Sequence, residues 1–553
     1  MSNYYDLGAY TRKVTTTSSD AQRWFDRGLN WCYGFNHEEA IVCFEKALGH
    51  DPACAMAHWG IAYAIGPNYN KPWEAFDEED KRNSLERALG STRSALSNVD
   101  GVSAVERAII ETLPHRYPED GDTEDQSPWN DAYANAMRQV HGVHGDDLDV
   151  CTLFAEALMN RTAWALWDLA TGSVAQGADT LEAMDVFETA FRDLDDGGAN
   201  AHPGLLHMYI HLLEMSPHPE RALRAGDALR NLVPDAGHLQ HMPTHIDVLC
   251  GHYQAVVDSN SLAIVADHKF LERAGPMNFY SAYRCHDYHF KIYGAMFLGQ
   301  YRPAIEAAEE MITTLPKELL SVGSPPMADW LEGFIPMKQH VLIRFGRWRE
   351  IIEQALPDDP NLFCVTTAMM RYARAVAFAA SGDVESATAE HEAFLAARDR
   401  VPESRMLFNN TCLDILAVAE QMLEGEVEYR RGNIDEAFAR LRRSVELDDH
   451  LPYDEPWGWM QPTRHALGAL LLEQGRVDES EAVYRADLGL DASLSRACQH
   501  PDNVWSLHGL HECLVRRGEK AESIIIKQRL DLALARADVS IKGSCYCRMQ
   551  HAA

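Results

Sequence analysis

The chain has 553 residues, 46% hydrophobic and 24% charged, enough apolar material for a large core and no long stretch that composition marks as disordered. A formal net charge of −33 argues against polyanionic partners, because such a surface repels phosphate and offers few clustered cations; neither nucleic acid nor anionic membrane is an expected partner. No apolar run reaches the ~18–20 residues that span a bilayer, and the first twenty residues carry no signal-type apolar segment, so a soluble cytoplasmic protein is expected.

Residues 1–20 read as an extension ahead of the first repeat. From Ala21 to Pro52 the sequence follows the 34-residue helix-turn-helix template, with Trp24, Gly28, Trp31, Ala40, Phe44, Ala47 and Pro52 in register. Gly28 and Ala40 let two helices approach, Phe44 and Ala47 fill the seam, and Pro52 stops the second helix. AMAHWGIAYAIG then opens the next pair, and repeats of this kind are expected over 21–113. GPNYNKPW (66–73) is a turn whose Asn68 and Tyr69 either structure the inter-repeat connection or line a pocket. The acidic, Pro- and Gly-rich stretch 114–131 reads as a loop or lid.

The central region, 132–316, carries the chemistry. Glu156, Asn160 and Trp164 recur at i, i+4, i+8, which puts a carboxylate, an amide and an indole on one helical face; an ordinary amphipathic helix would look the same. Eleven of the 25 histidines then fall between His202 and His289, eight of them in HPGLLHMYIH (His202, His207, His211), HLQHMPTH (His238, His241, His245) and HDYH (His286, His289). His207 and His211 are four apart and stack on one helical face, where two imidazoles reach one ion; His286 and His289 are three apart. His207 to His245 spans 38 residues and His245 to His289 spans 44, each about one repeat, so equivalent helices would bring the clusters to a common concave wall. A lone histidine on a repeat helix is ordinarily structural, and His218, His252 and His268 fit that description; three clusters in repeat register point to metal.

Beyond an irregular stretch, 317–330, the region 331–536 returns to repeats. Gly425 and Ala437, then Gly468 and Ser480, keep one twelve-residue offset, with Gly432-Asn433 and Gly475-Arg476 at the turns. His465, His508 and His511 read as surface histidines, or as groups closing the array over the site. Most of the twelve cysteines, among them Cys43, Cys54 and Cys250, stand singly in helical patterns as reduced core thiols. The tail 537–553 holds Cys545 and Cys547 and reads as a flexible end, or as a soft-metal or redox contact. Strand signals are nearly absent, so the expected fold is all-α, a tetratricopeptide-like helical-repeat solenoid that could curl around a central pocket.

The FNHEEAIVCFEKAL and DPACAMAHWGIAYAIGPNYN opening, the HPGLLHMYIH and HLQHMPTHI centre and the PTRHALGALLLEQGR closing segment resemble a widespread group of tetratricopeptide-repeat proteins, mostly bacterial and some fungal, with no assigned activity. The resemblance implies that His207, His211, His241 and His245 belong to a group signature. It supplies no reaction.

Three functional readings follow. The first is a metal-dependent oxidoreductase: His207, His211, His245 and His289 bind copper, as one or two ions, or iron. His202, His241 and His286 are then further ligands or orienting groups, and Glu156 or Glu214 accepts a proton. Trp164, Tyr280 and Tyr288, with Asn160, Asn68 and Tyr69, would hold a small organic substrate. The second is a scaffold binding a protein or peptide in its concave groove, and the third a zinc hydrolase on the same ligands. Absence of HExxH, and of an evident general base within one cluster, favours a redox ion over the hydrolase.

Overall fold

Helices Ser19–Tyr33 and His37–His50 form the first pair where the template places it. Ser18 caps the first helix by accepting the Ala21 N–H. Asn36 caps the second by accepting the Glu39 N–H, and Asp51 ends it, so the chain turns out before Pro52. The ring of Phe44 lies between Gly28 and Gly60, where a Cβ on either glycine would come within 2.6 Å of it. A methyl there would overpack the seam at a cost of about 1–3 kcal/mol. Tyr484 repeats the arrangement between Gly468 and Gly509. Gly432, in the left-handed region at φ 86°, closes helix Cys412–Arg431 and lets helix Ile434–Asp449 fold back on it.

The computed structural model describes residues 4–119, 125–197 and 202–551. They form an all-α chain of antiparallel helix pairs, as the spacing predicts. Among them the only strands are Met406–Leu407 and Asn410–Thr411, a two-residue antiparallel pair, and no helix is long and apolar enough to cross a membrane. The chain divides into two compact units: residues 1–246 with 262–284, and residues 247–261 with 285–553. The division falls inside the histidine-rich stretch 132–316.

The ends and loops also differ from the sequence reading. The extension is held in the first unit, where Asp6 and Asp235 exchange hydrogen bonds and Tyr10 and Arg12 reach the buried Asp149. Within 114–131, helix Leu113–Arg116 and the start of helix Ser127–His144 take up the two ends of the expected loop, and 120–124 lie outside the described residues. The stretch 317–330 begins and ends in short helices, Lys317–Leu320 and Met327–Leu331. The tail is not loose in the second unit: Cys547 joins the core cluster of Phe438, Leu467 and Leu470, Ser544 bonds Tyr484, Arg548 pairs with Glu512, and Cys545 and Cys547 form a disulfide.

Candidate metal centre

Helix Pro203–Glu214 is buried along its whole length and carries His207 and His211 one turn apart. Gly204 admits it to the core, since a Cβ there would lie 2.4 Å from the Tyr33 ring. The second cluster sits on the short helix Gly237–His241 and, after Pro243, at the start of helix Pro243–Leu249. Gly237 is again a close approach, 2.0 Å from Asp267 Oδ1 for an added Cβ. The rings of His207, His211, His238, His241 and His245 are all at most 1% exposed.

Hydrogen bonds decide which nitrogen of each ring can act as a ligand. His207 Nδ1 donates to the Tyr33 carbonyl at 2.6 Å, and His211 Nδ1 donates to Glu214 Oε1 at 3.0 Å. Both Nε2 atoms are therefore left with lone pairs, and they face each other at 3.0 Å. The other oxygen of Glu214 takes His245 Nδ1 at 2.7 Å, which turns the His245 Nε2 lone pair toward His241 Nε2 at 2.6 Å. One carboxylate thus orients an imidazole in each pair, the outer-sphere arrangement common behind metal-bound histidine. Two nitrogens on one ion, each at about 2.0–2.1 Å, lie roughly 3–3.4 Å apart. The His207–His211 pair already has that spacing; the His241–His245 pair would open by a few tenths of an ångström. His238 completes the first pair: ring nitrogens of His207, His211 and His238 lie within 4.8 Å of one another.

Burial keeps the His207 and His211 imidazoles neutral, the form that binds metal. It pushes His211 down to about 3, and His207 well below the usual histidine value with added repulsion from His211. Aromatic rings enclose the set. Phe35 lies 4.5 Å from His207 and stacks on His211 and His238 at 5.8 and 5.5 Å, while Tyr69 and Trp164 stand 5.0 and 5.8 Å from His211. Phe35 and Trp164 both occupy the left-handed region, at φ 54° and 58°. That conformation costs a non-glycine residue about 1–2 kcal/mol, and in both it is adopted by an aromatic residue packed on His211.

Several predicted residues take other roles. His202 has no nitrogen to give: Nδ1 caps the helix by accepting the Leu205 N–H at 3.0 Å, and Nε2 lies 3.1 Å from Asp149 Oδ1. Burial alone would raise the Asp149 carboxyl, but His202, Arg12 and Tyr33 outweigh it and hold it below the ordinary range. Glu156 is buried, accepts the Tyr63 hydroxyl, and is pushed up to about 8 by burial, so at neutral pH it already holds the proton it was expected to accept. Asn160 lies one turn along from it, and its buried amide makes no side-chain hydrogen bond. Glu214 orients two rings and is no free base. Asn68 is consumed by its turn, taking the Asn70 and Lys71 N–H groups and bonding His37, whereas Tyr69 and Trp164 do wall the centre. The Tyr280 hydroxyl accepts the His238 N–H and donates to Asp267.

His286, Tyr288 and His289 belong to the second unit and are buried there. His289 Nε2 lies 2.8 Å from Met460 Sδ, its ring faces Phe334, and His286 packs on Phe408. His238 is the member of the centre absent from the expected ligands; the signal for it is that His238, His241 and His245 follow i, i+3, i+7, the spacing of one helical face.

No family model matches the sequence, and no curated protein matches it. Solved structures similar to this chain include yeast Tom70, at 11% identity and a TM-score of 0.28 over 92% of this chain and 98% of that one. A Rap protein complexed with competence and sporulation factor is similar at 10% identity and 0.30 over 65% and 94%, and Naa15/Naa10 bound to HypK-THB at 12% and 0.22 over 93% and 70%.

Proposed function

We propose that this chain is a metal-dependent protein that binds a redox-active ion, copper in first place, on His207, His211 and His238, with His241 and His245 offering a second position, and that it oxidises a small organic substrate. The observation that carries this reading is the meeting of two lone pairs: the Nε2 atoms of His207 and His211 stand 3.0 Å apart while both Nδ1 protons are committed elsewhere. Without a cation or a shared proton that contact is repulsive, and in a buried site it is not relieved by solvent. Copper is preferred because the proposed ligand set is imidazole alone. The usual non-haem iron set would need a carboxylate on the ion, and Glu214 is occupied with Nδ1 protons. A bound ion of this kind supplies electron transfer; the protein orients the rings through Glu214 and Tyr33 and excludes water with Phe35, Tyr69 and Trp164.

A second reading, a scaffold for a protein or peptide, has the helix-pair architecture in its favour. It leaves the imidazoles without a role, because rings at most 1% exposed do not meet a peptide in a groove. Metal analysis of protein purified without an affinity tag, before and after copper reconstitution, separates the readings, with the His207→Ala/His245→Ala double variant as control. Stoichiometric copper or iron lost in the variant supports the proposal, zinc supports a hydrolase, and failure of the folded protein to retain or take up any ion leaves the scaffold.

A further inference from the structure

The first unit contains a cavity of about 120 Å³ that the metal reading does not use. Its floor is formed by Phe35, Asn36 and Tyr283, all buried, and its mouth by Glu38, Lys71 and Asp80, which reach solvent. Phe35 and Tyr283 also pack against His238, at 5.5 and 4.8 Å between ring centroids, so a single layer of rings separates the cavity from an imidazole of the candidate centre. An engineered apolar cavity of about 150 Å³ accepts benzene. This one therefore has the size of a single six-membered ring.

The lining specifies more than size. Phe35, Phe279 and Tyr283 offer ring faces and edges to a flat apolar body, as Tyr283 already does to Phe35, Phe279 and His238. Asn36 is 1% exposed and its Oδ1 accepts the Glu39 N–H at 3.2 Å, which fixes the amide with Nδ2 on the other side. That Nδ2 is a buried donor with no acceptor in the protein. Such a donor is costly to leave unpaired unless a ligand or water meets it. Lys71 stands at the mouth, paired with Asp80 at 2.6 Å and over the Phe76 ring at 4.0 Å, a second donor for an oxygen.

We infer that this cavity is a binding site for a single-ring phenol: the ring lies among Phe35, Phe279 and Tyr283, and the hydroxyl oxygen accepts from Asn36 Nδ2. If the metal reading holds, the site names the substrate class of that centre. Binding itself rests on the cavity and is tested on metal-free protein, so failure of one reading is distinct from failure of the other.

The test is calorimetric titration of the chelator-treated full chain with phenol. Saturable binding of one equivalent, with a dissociation constant on the order of a millimolar or tighter, is expected. Asn36→Asp keeps the helix-capping acceptor and removes the donor; it should weaken binding about tenfold with an unchanged circular dichroism spectrum. Ile65→Trp, from a partly exposed wall position, should fill the cavity and abolish binding. No saturation in the wild type up to about 20 mM, where even a −3 kcal/mol interaction would register, overturns the proposal. So does a folded Asn36→Asp or Ile65→Trp variant that binds phenol as tightly as the wild type.

Discussion

Each unit contains a buried carboxylate shared by two histidines, and the two differ in what lies on the far side of the rings. In the first, Glu214 takes His211 and His245, whose outer nitrogens face two more imidazoles. In the second, Asp487 takes His465 Nε2 at 2.9 Å and His500 Nδ1 at 2.8 Å, with Asn503 and Ser506 also donating to it. There the outer nitrogens meet donors: Arg344 reaches His465 Nδ1 at 2.7 Å and the Tyr293 hydroxyl lies 3.0 Å from His500 Nε2. Two histidines on a carboxylate are therefore not a metal signature by themselves. A ring nitrogen facing a donor completes a hydrogen-bond network; one facing another lone pair leaves room for a cation.

The sharpest break of this contrast is deletion of the facing rings. His207→Ala/His211→Ala should lower bound metal by about one equivalent, while His465→Ala should leave metal content unchanged and lower unfolding free energy by about 3 kcal/mol, since Arg344 and Asp487 lose a buried partner. Metal analysis and denaturant titration of both variants read this directly; equal metal loss in the two would erase the distinction.

Next in size is stabilisation by the ion. At copper a thousandfold above its dissociation constant, the wild type should gain about 4 kcal/mol over chelated protein, and neither the His207→Ala/His211→Ala variant nor unfolded chain should share it. Melting temperature with and without chelator measures it. Changing the carboxylates is gentler for metal. Glu214→Gln should weaken metal affinity by about 10–100-fold, whereas Asp487→Asn should not alter it.

A further effect is on pH dependence. The Glu156 carboxyl titrates near 8 in the folded state and near its ordinary value when unfolded, so the folded state binds the extra proton between about pH 4.5 and 8. Its contribution makes stability fall as pH rises through that window and level off above it. Glu156→Gln should remove that slope, read as chemical denaturation midpoints across the range; an unchanged slope would place the titration elsewhere.

Legibility followed the range of the interaction. The pair around Phe44 was readable because Gly28 and Phe44 are seam positions of one repeat template, and His207 with His211 because i, i+4 is a local geometry. Glu214 beside His211 was equally visible, three residues along the same face. Its second bond, to His245, was not, since nothing local links two separate helices. His202 matched its cluster in spacing and failed as a ligand because Asp149, Tyr10 and Tyr33, distant in sequence, enclose it. Tyr484 between Gly468 and Gly509 was half seen: Gly468 fitted the template, the aromatic partner did not stand out.

By itself the sequence determined that this chain is helical, repeated and rich in paired imidazoles, because helix periodicity and repeat spacing are set by neighbours a few residues apart. Only the tertiary structure decided which ring nitrogens keep a lone pair. A histidine's tautomer is fixed by the group its other nitrogen meets, and here those groups are the Tyr33 carbonyl, Glu214, Arg344 and Tyr293, most of them brought in from other helices.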